Sequence, residues 1–270
     1  MAERPNTSAT AEERPSPEGS SSWPTYWKAL GQPWRYEPGI VETRQRYLAE
    51  HRAIQPDIKE GIYPFGGVTL TRADVEWLLA THESGGLRGP VDWHDATQHT
   101  REGIDLRGAV LKGAVLSELP LAKVRCGLDV AEWGATSAAG LDAAAAHMQQ
   151  CMLVASHVEG ACLNRVHLER AECAAAHLEQ ATLVEAHLEQ TDLFGTHLEG
   201  AVLTRAHLAG AKLDMAVLDS ATDLSDVVSR MKRSALPTWV VSSGVAQTSP
   251  LSAGLGRTGG YAKEDRLPWC

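Results

Sequence analysis

The chain has 270 residues, enough to bury a sizeable core in one large domain or two small ones, and sets 25 basic against 34 acidic side chains for a formal charge of −9. It has no basic excess to neutralise a phosphate backbone, and its apolar runs are far shorter than the roughly 18 to 20 residues of a membrane span, so neither direct nucleic-acid binding nor a membrane is expected. Five cysteines (126, 151, 162, 173 and 270) form no C-x-x-C pair, and the first residues have no apolar leader, which points to a reducing, cytoplasmic setting without disulfides.

Residues 1–22 are rich in Ser, Pro and Glu and are expected to be a disordered N-terminus. Trp23, Tyr26, Trp27 and Trp34 then form an aromatic cluster ahead of a predicted helix from Val41 to Ala53. YPFGGVTL, residues 63–70, reads as a short strand or turn. The next helix has clearer signals: Thr71 and Asp74 make a T-x-x-D capping box, Val75, Leu78 and Leu79 an apolar face, and Gly85-Gly86 a stop. Residues 23–103 are therefore expected to be an α-rich N-terminal capping segment, whose Trp residues pack a small core because no basic patch accompanies them for stacking on bases.

From Ile104 to Leu128 the chain falls into units of five, IDLRG, AVLKG, AVLSE, LPLAK and VRCGL. The phase is lost over 129–145, DVAEWGATSAAGLDAAA, which reads as a helical excursion, and resumes at Ala146. Fifteen unbroken units follow: AHMQQ, CMLVA, SHVEG, ACLNR, VHLER, AECAA, AHLEQ, ATLVE, AHLEQ, TDLFG, THLEG, AVLTR, AHLAG, AKLDM and AVLDS. The third place is Leu in twelve units, and the first is Ala in ten. Ala, Leu, Glu and Gln favour a helix, but five residues advance about 500° around one, so successive Leu would scatter over every side. A coil in which each unit forms one short side, with first and third side chains inward and the rest outward, satisfies every unit. Side chains converging on a narrow axis need a small first residue and leave no room for bulky aromatics. Accordingly, none of the eight Trp lies in 146–222.

These A-x-L-x-x units resemble those of pentapeptide-repeat proteins, whose usual unit is A-[DN]-L-x-x. The resemblance covers roughly 100 of the 270 residues. It implies an all-β, right-handed quadrilateral β-helix, a solenoid with four units per coil stacked at about 4.8 Å. On that reading 104–128 is a first coil, 146–222 the main β-helix, and the rod is near five coils or about 24 Å long. The motif is structural and names no activity.

The chain departs from the family at the second place, where it has His at 147, 157, 167, 177, 187, 197 and 207. With twenty residues per coil, a spacing of ten places 147, 167, 187 and 207 on one face and 157, 177 and 197 on the opposite one. Glu159, Glu169, Glu179, Glu189 and Glu199 follow two residues after five of these His. These twelve residues are the candidate interaction surface. The columns have three readings: a solvated decoration copied by duplication, a transition-metal site shared by imidazoles one coil apart, or a binding face whose charge depends on pH. The segment 146–222 carries net −6, and since an imidazole titrates near 6.5 when unperturbed, protonating seven would bring it to about +1. No Cys joins a ligand set: Cys162 is expected to point outward on another face, and Cys151 and Cys173 inward.

Residues 223–236, including LSDVVSRMKRS, are a candidate C-terminal capping helix, and 237–270 a flexible tail. The chain contains no G-x-S-x-G, no phosphate loop, no G-x-G-x-x-G after a strand and no H-E-x-x-H, so no catalytic residue, cofactor or committed metal ligand is assigned. The resulting expectation is a non-enzymatic scaffold or interaction protein that presents a rigid acidic rod to a protein partner. Two alternatives stand beside it: a DNA-mimic modulator of DNA gyrase or topoisomerase, which some pentapeptide-repeat proteins are known to be, and a metal-binding or pH-responsive His array.

Overall fold

The computed structural model describes residues 22–228 and the backbone of Val240 and Val241. From Ile104 onward the backbone winds so that residues twenty apart pair in parallel: His147 with His167, Met152 with Glu172, His157 with His177, and Cys162 with Thr182. Four such bridges in every twenty residues, each at the second place of a unit, give the coil four sides. Each side is one bridge wide, so its β character lies in the ladder between coils rather than in long strands.

Hydrogen bonding explains why five residues make a side. The N–H of the first place donates back to the third-place carbonyl of the preceding unit, as Cys151 does to Met148, and this closes a turn. Second-place N–H groups donate to the coil before (His167 to Ala146), and third- and fifth-place groups to the coil after (Leu168 to His187, Arg170 to Glu189). The turn needs a left-handed residue at the fifth place. All fourteen fifth places from Gln150 to Met215 have positive φ, between 51° and 77°, although only four are Gly. A non-Gly residue there costs roughly 1–2 kcal/mol, which the stacked ladder outweighs.

The inward places form one continuous core, in which Leu183, Leu203, Ala186 and Ala201 are wholly buried. First-place hydroxyls are also buried but satisfied: Thr191 and Thr196 donate to the carbonyls of Leu168 and Cys173.

Across 129–145 the pairing step changes from twenty to thirty-seven: Val110 pairs with His147, Val115 with Met152, Pro120 with His157 and Arg125 with Cys162. The seventeen extra residues leave and re-enter at one corner, because the Ala146 N–H donates to the Cys126 carbonyl as a first place does to the preceding third. They form a 3₁₀ turn, Trp133–Ala135, and a short helix, Ala138–Ala144, capped by Ser137. The outgoing chain covers the side below it. Cys162, expected to point outward, is therefore 2% exposed, with its thiol against the Gly127 carbonyl, and Asn164 beside it donates to Leu128.

Among the described residues three helices precede the coil: α1 (Trp23–Ala29), α2 (Glu42–Arg52) and α3 (Arg72–Ala80). Three of the four clustered aromatic residues, Trp23, Tyr26 and Trp27, lie in α1 and Trp34 lies beyond it; Trp23 and Trp27 stack 5.5 Å apart, with Arg35 3.5 Å over the Trp27 ring. Both hydrogen bonds of the Thr71–Asp74 capping box form, and Arg44 on α2 grips the Asp74 carboxylate through Nε and Nη2 at 2.9 Å each. Val75, Leu78 and Leu79 of α3 join the coil core, and Arg72 donates to the carbonyls of Val115 and Ser117. Thr69 adds a bridge to Val110, so the segment before α3 continues the coil's backbone pairing at that end. Gly85-Gly86 does not stop α3, which ends at Ala80. Both glycines have positive φ and form the two-residue loop joining β1 (Glu83–Ser84) to β2 (Leu87–Arg88).

At the far end the helix expected from 223 does not begin there. Asp223 bridges Val202 and Val228 bridges His207, so 223–228 continue the coil with the step raised to twenty-one. Thr222-Asp223-Leu224-Ser225-Asp226 is a further unit, displaced by one residue at the corner where Asp219 accepts from the N–H groups of Gly200, Ala221 and Thr222. A strict count of five loses this unit because the extra residue breaks the phase. The rest of that predicted helix, residues 1–21 and most of 237–270 lie outside the described residues. Within 237–270, Val240–Val241 (β4) pairs in parallel with Val217–Leu218 (β3). Among the described residues no helix is long and apolar enough to cross a membrane.

Candidate functional site: two columns of histidine and glutamate

The ladder brings the seven second-place His together in two columns. Rings of 147, 167, 187 and 207 stack on one side at centroid distances of 4.9, 4.7 and 4.9 Å. On another side 157, 177 and 197 stack at 4.9 and 4.7 Å, within 9° of parallel. The spacing is the inter-strand distance of the backbone, repeated in the side chains.

His replaces Asp or Asn at the second place with a local consequence. Where Asp occupies it, as at 105, 192 and 223, its carboxylate accepts the fourth-place N–H at 2.8–3.1 Å. An imidazole instead turns to the fourth-place side chain: His157, His167 and His177 contact Glu159, Glu169 and Glu179 through Nδ1 and Oε1 at 2.9–3.0 Å. A carboxylate can only accept, so Nδ1 carries the proton. Looser pairs continue the columns, His187 to Glu189 at 3.7 Å and His197 to Glu199 at 3.6 Å. Some carboxylates also reach the ring one coil on, Glu179 to His197 at 3.9 Å and Glu189 to His207 at 3.7 Å. The Oε2 atoms of all five Glu are buried and receive no hydrogen bond from the protein.

The columns are not uniform along their length. Trp93, in a loop of the N-terminal segment, stacks on His99 at 4.5 Å and lies over Gly160, where a Cβ would meet its ring at 2.6 Å. This loop also brings His94 to 6.2 Å from His157, and Glu159 is 1% exposed beneath it. One expected surface residue is thus covered, by a contact between residues more than sixty positions apart that no local pattern signals. His147 is followed by Gln149 instead of Glu. Burial and then the neighbouring His167 hold its imidazole below the ordinary range.

The buried thiols are inert fillers. Burial pushes Cys151 up to about 12 and raises Cys126 and Cys173 strongly. A cleft of about 650 Å³ between α2, α3 and the start of the coil includes Trp77, Arg52, Glu83, Arg88 and Glu102 in its lining, a mixture of charge signs with no single-sign focus.

The family model for pentapeptide repeats (8 copies) matches residues 171–208 and 188–222. A pentapeptide-repeat protein, Rfr23, from the cyanobacterium Cyanothece 51142 is 21% identical with a TM-score of 0.30, over 47% of this chain and 84% of its own. HetL, a pentapeptide-repeat protein involved in heterocyst differentiation regulation in Nostoc sp. strain PCC 7120, is 17% identical with a TM-score of 0.23, over 54% and 86%. A pentapeptide-repeat protein of the Arabidopsis thaliana thylakoid lumen is 20% identical with a TM-score of 0.17, over 46% and 59%. A search of curated protein sequences returns no match. With five-residue units, a twenty-residue coil and the family match over 171–222, that stretch of the coil is built from repeats of the pentapeptide family.

Proposed function

We propose that the protein is a non-enzymatic scaffold whose coil, a right-handed quadrilateral β-helix, presents the two His/Glu columns to a macromolecular partner. In this reading 23–103 caps the first end, 104–128 and 146–222 build the rod, and 129–145 is an appended arm. The observation that supports it most is the regular stacking of like side chains at 4.7–4.9 Å on a hydrogen-bonded frame, which orders a binding face before any partner arrives. Mimicry of DNA toward gyrase is less well supported. The carboxylates of Glu169, Glu179, Glu189 and Glu199 fold back against the imidazoles with one oxygen buried, where phosphate-like charges would project into solvent.

The test compares the full chain with two variants in capture from an extract of the source cells. One variant converts His167, His177, His187 and His197 to Asn, and the other converts Thr182 and Asp192, on the remaining two sides, to Asn. A partner held by the parent and the second variant but lost by the first is expected. Capture that the first variant leaves unchanged defeats the reading.

A further inference from the structure

We infer that the columns bind divalent transition-metal ions of the zinc class, two per chain and one on each face. Three sets of side chains each bring one ligand atom per residue within 4.8 Å of the others: His167, Glu169 and His187; His177, Glu179 and His197; His187, Glu189 and His207. In the second set Glu179 Oε1 lies 3.0 Å from His177 Nδ1 and 3.9 Å from His197 Nδ1. In the third, Glu189 Oε1 is 3.7 Å from Nδ1 of both His187 and His207. Bonds of about 2.0–2.2 Å to a tetrahedral zinc separate neighbouring ligand atoms by roughly 3.3–3.6 Å. The Glu179 and Glu189 carboxylates thus already stand near coordination spacing from both rings of their sets.

The two rings of a set stack with centroids 4.7–4.9 Å apart, within 9° of parallel in the first two sets and at 28° in the third. One imidazole has to tilt out of the stack to aim its lone pair at a shared ion, and both rings carry their proton on Nε2 so that each Nδ1 is free to coordinate. Two imidazole nitrogens and one carboxylate oxygen form a borderline donor set that suits zinc and its late first-row neighbours, with a fourth position left for water. The buried Oε2 atoms supply a second, independent reason. A carboxylate oxygen buried without a donor is costly, and a cation on its partner oxygen offsets the charge that burial penalises.

The stoichiometry follows from sharing. His187 belongs to two of the three sets, and one nitrogen holds one ion, so that column takes a single ion and the opposite column another. His147 and His157 belong to no such set among the described residues: Gln149 brings no charge, and Glu159 is sealed under the Trp93 loop.

Isothermal titration of Zn²⁺ into the full chain carrying Cys270→Ser, which removes a thiol outside the described residues, is expected to show two equivalents near neutral pH. Heat should fall away on acidification as protons compete for the imidazoles. E179Q should remove one equivalent or weaken it by about tenfold or more. H177N/H187N breaks all three sets and should remove both, and Co²⁺ should give the intense visible bands of a tetrahedral site only in the parent. If far-UV circular dichroism shows that H177N/H187N loses the coil, E169Q/E179Q/E189Q, which keeps every imidazole, takes its place. Absence of stoichiometric heat in the parent, or two equivalents persisting in the variant that breaks all three sets, overturns the proposal.

Discussion

At the scale of the residue, each unit is an agreement between a small first place and a large third place. Leu183 and Ala186 are both wholly buried, yet they fail differently when exchanged. Leu183→Ala opens a cavity inside a coil whose four sides are tied by backbone bonds and cannot collapse around it. A loss of about 2–5 kcal/mol is expected in denaturant unfolding. Ala186→Leu forces extra methylenes toward the axis and should cost about 1–3 kcal/mol or more. Equal tolerance of the two substitutions would show that the first place is not size-limited. This alternation was readable in the sequence because it is local and repeated fifteen times. The burial of Cys162 and Glu159 was not, since the groups that cover them arrive from the excursion and from the Trp93 loop.

At the scale of the element, a column behaves differently along its length because its fourth-place partners differ. His147 has Gln149 beside it, and its imidazole is held below the ordinary range by burial and then by His167. The folded state resists protonation more than the unfolded chain, so this contribution to stability is intact above the ordinary imidazole value and declines as pH falls through it. Gln149→Glu supplies the carboxylate present at the other rungs. It is expected to raise the His147 titration midpoint in NMR and to reduce this acid sensitivity; an unmoved midpoint would show that the fourth place does not control the second. The decad of His was plain in the sequence, but its coupling to Glu through Nδ1 was not. That coupling depends on the fourth-place side chain folding back where an Asp or Asn would have accepted the N–H itself. α1 was hidden for another reason: its seven residues are too few for helical periodicity to emerge from a run of aromatic side chains.

At the scale of the whole molecule, one core runs from α3 through the first coil to the last, across the excursion. Deleting 129–145 joins Leu128 to Ala146 and turns every thirty-seven-residue step into one of twenty. The shortened chain is expected to keep a cooperative transition and the far-UV spectrum of the coil. Its midpoint should be lower, because Tyr63 and Leu128 lose their contact with Ala144 and Leu141, and Arg107 and Arg125 lose Glu132. Loss of the coil spectrum would mean that the excursion is needed to set the register.

Both breaks in the period open at the same kind of place, the corner between a third residue and the next first one: seventeen residues after the Cys126 corner and one within 219–222. An extra residue within a side would swap inward for outward side chains, whereas one at a corner leaves the in-and-out order of every side intact. The rod therefore constrains composition but not length, and its corners are ports. A peptide tag or fluorophore-bearing loop spliced at corners of successive coils would ride at fixed increments of about 4.8 Å. The molecule could then serve as a molecular ruler whose graduations are set by its own backbone.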